Sequence, residues 1–76
     1  MNTAERKTIA QWRKSKYLTQ DELGKLAGVS LHTISSWELG VKQPRARNMR
    51  ALAAALGIEP DQIILVESKD APDLAA

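Results

Sequence analysis

Apolar residues along this chain recur three or four positions apart, in short runs separated by polar or glycine-containing breaks. That period is helical. β-branched residues are sparse and nowhere alternate with polar ones over a strand length, so the pattern predicts short helices and no sheet. The first helix is predicted over residues 3–15. Asn2 or Thr3 supplies its cap, Asn2 and Glu5 have capping-box spacing, and Ile9 and Trp12 share a face. Thr19 with Glu22 is a second capping box, opening a helix whose buried side is Leu23, Leu26 and Ala27 and whose end is Gly28. Ser30 caps a third helix over residues 31–39, with Ile34 and Trp37 inward and Gly40 as its stop. A loop with Pro44 follows. A fourth helix is predicted over residues 45–56, carrying Met49, Leu52, Ala53 and Leu56 on one stripe before Gly57. Pro60 suits the first turn of a fifth, over residues 60–66. Residues 67–76 are polar, contain Pro72 and have no period, as expected of a mobile tail behind a domain over residues 1–66.

Seventy-six residues, 43 % of them apolar, suffice for one domain with one small core. The chain has no cysteine, which excludes disulfides and cysteine zinc sites, and a single histidine, which makes a metal role for it improbable. The start of the chain has no signal-peptide pattern, and no apolar run approaches the ~20 residues of a membrane span. A cytoplasmic, membrane-independent protein is the expectation. The net charge of +2 hides an asymmetry. Residues 1–50 carry ten basic against four acidic side chains, and residues 51–76 carry one against five. A basic front suits a protein that turns one face to a polyanion, although an unevenly charged solvated surface describes the same numbers.

The most informative stretch is residues 19–40. Two capped helices are joined by Gly28-Val29-Ser30, and so short a link forces a steep crossing that leaves one face of the second helix free. Gly24 lets the pair approach closely; the plainer reading is a tolerated helix glycine. Thr19-Gln20-Asp21-Glu22-Leu23-Gly24, then Ala27-Gly28-Val29-Ser30, then Ile34-Ser35-Ser36-Trp37-Glu38-Leu39-Gly40 resembles the helix-turn-helix of lambdoid phage repressors and Cro proteins, the Xre-type regulators. Pro44 and the run Leu52-Ala53-Ala54-Ala55-Leu56-Gly57-Ile58 fit the same pattern, so the resemblance covers roughly residues 5 to 66. It implies an all-α fold, a compact five-helix bundle of the lambda-repressor-like type, that binds operator DNA as a dimer.

The resemblance also implies roles. Leu31, His32, Ser35 and Ser36 match the positions that touch base edges, and Thr33 lies beside them toward the backbone. Gln20 matches a phosphate donor, which agrees with the affinity of a helix N-terminus for anions. Arg13 and Glu38 match an ion pair bracing the third helix, with Arg13 also within reach of a phosphate. Lys42, Gln43 and Arg45 match a loop along the sugar-phosphate backbone, with Arg45 the candidate for the minor groove. Arg45 also stands where the family often has a capping Ser or Thr, so a frayed start to the fourth helix is expected. The third helix has no Gln, Asn, Arg or Lys, hence no strong bidentate reader of adenine or guanine. Direct readout should be modest: Leu31 on a thymine methyl, His32 on a guanine or a phosphate, short serines elsewhere. Trp12 and Trp37 could stack on unpaired bases, but their spacing with Ile9 and Ile34 favours the core.

The function expected is sequence-specific binding of double-stranded DNA by a small regulator, as a homodimer on a pseudo-palindromic operator. Ile63, Ile64 and Leu65 are the candidate dimer surface, and Ile63 and Ile64 are also candidates to close the monomer core. A protein-interaction module of the same fold, antitoxin-like or bridging, is the alternative. An enzyme is disfavoured because no nucleophile, phosphate loop or metal cluster is visible. No catalytic residue, cofactor, metal or small-molecule ligand is expected. The ending Leu74-Ala75-Ala76 is similar to the tag read by bacterial energy-dependent proteases, although small residues at a frayed terminus explain it as well.

Overall fold

The computed structural model describes residues 5–66. In order these form β1 (Lys7–Thr8), α1 (Ile9–Ser15), α2 (Gln20–Ala27), α3 (Leu31–Leu39), α4 (Ala46–Leu56), a single 3-10 turn (Pro60–Gln62) and β2 (Ile63–Ile64). Four α-helices are therefore present among the described residues, not five. Asn2 and Thr3, residues 67–76 and the reading of the last three residues as a degradation signal lie outside that range.

Caps set three of the helix starts. Thr8, Thr19 and Ser30 have extended backbone, and each side chain accepts from the amide three residues on. At α1 and α2 the bond is reciprocated by Gln11 and Glu22, so two otherwise orphaned donors are satisfied at each end. Arg45 occupies the same place before α4 and makes no side-chain cap bond.

Both ends of the predicted helical pattern are extended instead. α1 begins at Ile9 rather than near Thr3, and the predicted fifth helix is one 3-10 turn followed by a strand. The two deviations share one cause. Lys7–Thr8 and Ile63–Ile64 pair as a two-stranded parallel ladder, in the register Lys7 to Ile63 and Thr8 to Ile64. β-branched Thr8, Ile63 and Ile64 suit that backbone. Side chains lock it: the Trp12 indole N–H donates to the Gln62 carbonyl at 2.8 Å, and Arg6 donates to the Asp61 carbonyl at 3.0 Å. Gln62 also donates to the Glu5 carbonyl.

The core is made by one fully buried side chain from each of three helices, Leu23 of α2, Ile34 of α3 and Leu52 of α4. Ile9, Trp12, Trp37, Ala53, Leu56 and Ile63 surround them. Both tryptophans are core residues, each 5 % exposed. Met49 and Ala27 pack at the margin. Leu26 departs from its predicted place and is 60 % exposed. α2 meets α3 and α4 along Leu23, Gly24 and Ala27, and that line rotates Leu26 to the rim, where it lines a shallow depression with Leu18, Glu22 and Lys25.

Candidate nucleic-acid interface

The position of α3 is decided at Gly24. A Cβ built there would lie 2.7 Å from the Val29 carbonyl oxygen and 3.3 Å from the Ser30 carbonyl. The backbone of the turn thus rests directly on α2, and the Val29 amide donates to the Gly24 carbonyl at 2.8 Å. Gly28 supplies the left-handed residue, φ 79°, that ends α2 and lets the chain fold back so tightly. This close approach is the structural reason for Gly24; it is not merely tolerated.

With Ile34 and Trp37 buried, α3 presents its other face outward. Leu31 and Ser35 are four apart, as are His32 and Ser36, so they form two adjacent rows. Leu31 and His32 are exposed, and Ser35 and Ser36 are half-buried. The His32 ring and both serine hydroxyls have no side-chain hydrogen-bond partner among the described residues. Thr33 is used differently. Its amide donates to the Ser30 hydroxyl oxygen and its own hydroxyl lies 2.9 Å from that oxygen, so it completes the cap of α3. Leu39 and Val41, 63 % and 61 % exposed, add apolar surface at the far end of α3 that the helical pattern did not single out.

The only ionisable side chains on α3 are His32 and Glu38, and the carboxylate is fully engaged. Glu38 Oε2 accepts from Arg13 Nε at 2.6 Å, and Oε1 accepts from Arg13 Nη2 at 3.2 Å and from Gln20 Nε2 at 2.9 Å. The two charged side chains are 13 % and 7 % exposed, so this is a nearly buried bidentate pair. Arg13 Nη1 also donates to the Leu18 carbonyl. One guanidinium therefore ties the α1–α2 turn to the end of α3. Three of its five N–H groups point inward, and it acts chiefly as a brace. Gln20, expected to face a phosphate, spends one amide hydrogen on Glu38 and keeps one. That bond was not legible in the sequence, since eighteen positions separate the two residues.

The loop after α3 and the first turns of α4 carry the cations nearest to this face in the chain. Lys42, Arg45, Arg47 and Arg50 are all exposed, around a buried Pro44 that fixes the loop. Gln43, expected to run along a nucleic-acid backbone, donates to the Val66 carbonyl at 2.9 Å and ties this loop to the segment just after β2. Of the candidate dimer residues, Ile63 is 6 % exposed and belongs to the monomer core. Ile64 and Leu65, 44 % and 39 % exposed, remain outside. No helix among the described residues is long and apolar enough to cross a membrane.

The sequence profile of the helix-turn-helix family matches residues 9–63. Repressor protein C2 of Salmonella phage P22 is 40 % identical over 52 residues, which are 68 % of this chain and 24 % of that protein. The chain thus spans about a quarter of the length of this relative. A crystal structure of the P22 c2 repressor in complex with a synthetic operator aligns at a TM-score of 0.67 and 42 % identity, over 70 % of this chain and 80 % of that one. A restriction-modification controller protein from Aeromonas hydrophila aligns at 0.71 and 30 % identity, over 74 % and 85 %.

Proposed function

The chain belongs to the helix-turn-helix family, and from that premise we propose that it is a small transcriptional repressor that binds double-stranded DNA with α3 in the major groove. The observation that carries this reading is the outer face of α3. It carries no Lys, Arg, Asp or Glu, bears a leucine, an imidazole and two hydroxyls, and is followed in the chain by a loop with exposed Lys42 and Arg45. Base edges offer dipoles and methyl groups, and the groove rims offer phosphates. A neutral centre with cationic margins matches that layout. The crystal structure of the phage relative in complex with a synthetic operator supports the same kind of partner.

Leu31, His32, Ser35 and Ser36 are the base-edge contacts. Lys42 and Arg45 hold the backbone, with Arg45 entering the minor groove. Thr33, Gln43 and Arg13 act at one remove, by shaping the cap of α3, the loop and the brace. One such domain covers few phosphates, so two copies act together on a pseudo-palindromic operator, joined through Ile64 and Leu65. Selection from a pool of random duplexes at physiological salt tests the reading. An enriched site with two related half-sites about ten base pairs apart is the expected result. Failure to enrich any sequence would overturn it.

A further inference from the structure

The turn between α1 and α2 holds one feature that neither the core nor the α3 face accounts for. Tyr17 has φ 59°, the left-handed region, and it is the single residue other than glycine with positive φ among the described residues. The other three such positions, 28, 40 and 57, are all glycine. The Tyr17 ring packs on nothing, being 93 % exposed. Packing therefore gives no reason for a bulky ring at a backbone position that glycine fits better, and such outliers concentrate where side chains contact ligands.

The surroundings say which ligand. Lys14 and Lys16 precede Tyr17 in the same turn, both exposed, and neither has a carboxylate within ion-pair distance among the described residues. Lys16 Nζ stands 5.9 Å from the Trp12 ring. The knuckle is also rigid. The Tyr17 amide donates to the Lys14 carbonyl and the Leu18 amide to the Arg13 carbonyl, at 3.0 and 3.1 Å. The Leu18 carbonyl in turn accepts from Arg13 Nη1 at 2.9 Å, and the same guanidinium holds Glu38 at the end of α3. The backbone that carries Tyr17 is thereby tied to the end of α3.

We propose that Tyr17, Lys14 and Lys16 form a DNA-backbone contact outside the helix-turn-helix, the phenol hydroxyl donating to a phosphate oxygen and the lysines neutralising its neighbours. This rests on the DNA-binding reading above. It fixes the register of the protein on the duplex and carries no base preference.

The test is titration of the intact chain with its selected duplex and with a mixed-sequence duplex of about thirty base pairs, over a range of salt. Y17F removes the hydroxyl and keeps the ring, and should weaken binding to both duplexes about fivefold for each bound protomer. The double variant Lys14→Gln with Lys16→Gln should flatten the slope of log affinity against log salt by about 1.8 for each bound protomer. Selected base preferences should not change in either variant. Thermal unfolding at the wild-type midpoint shows that the variants are folded. Wild-type affinity and salt slope in both variants would overturn the proposal while leaving the DNA-binding reading intact. A wild-type chain that binds neither duplex would overturn both.

Discussion

Gly24, Glu38 and Tyr17 carry consequences that belong to single side chains. At Gly24 the obstacle to a Cβ is backbone, the Val29 carbonyl at 2.7 Å, and backbone yields only by moving the turn. Gly24→Ala should therefore destabilise by about 1–3 kcal/mol despite the better helix propensity of alanine, measured by urea unfolding. It should weaken DNA binding as well, because α3 shifts. Glu38→Gln leaves the Arg13 cation nearly buried without its counter-charge, and a loss of about 3 kcal/mol is expected. Tyr17→Gly should raise stability by about 1 kcal/mol, since the left-handed backbone no longer opposes a side chain. A lower melting temperature in that variant would contradict the account of the turn. The family resemblance made the pair of Arg13 and Glu38 legible, and the short link through Gly28 made the tightness at Gly24 legible. It did not reveal that Gln20 bonds Glu38 or that Gln43 bonds Val66. Both are amide contacts between distant segments, and no local period encodes them.

At the scale of elements, caps and glycines announced α2 and α3 to the residue, and α4 to within one. The two ends were misread for a common physical reason. Asn2 with Glu5 and Thr8 with Gln11 have the same capping-box spacing, so local chemistry offers two starts for the first helix. Pairing with a strand more than fifty residues away decides between them. Pro60 likewise permits a helix, and the turn it opens stops after Gln62 because Ile63 enters the ladder with Lys7. Thr8→Ala should consequently cost about 1 kcal/mol, as the loss of an N-cap does. Wild-type stability in that variant would place the true cap elsewhere. Ile63→Ala should cost about 2–4 kcal/mol, the penalty of a buried isoleucine, and not the small amount expected of a surface residue. Unfolding curves of the two variants separate a closing strand from a peripheral one.

Across the whole molecule, charge and shape agree. The basic half of the chain contributes α3 and its flanking loop, and the acidic residues Glu59 and Asp61 lie in the segment after α4. The outer face of α3 shows no free carboxylate because its one carboxylate is held by Arg13 and Gln20. Affinity must then come mainly from the margins and discrimination from short-range contacts in the centre. The central claim is that these roles are divided between α3 and the loop after it. It is tested most directly by repeating the selection from random duplexes with His32→Ala, Ser36→Ala and Arg45→Ala beside the wild type. The account predicts altered base preference at defined positions for the two α3 variants. For Arg45→Ala it predicts unchanged major-groove preference, weaker binding throughout and a salt slope shallower by about 0.9 for each bound protomer. Identical preferences in all four proteins would contradict it, for α3 would then not be reading the bases.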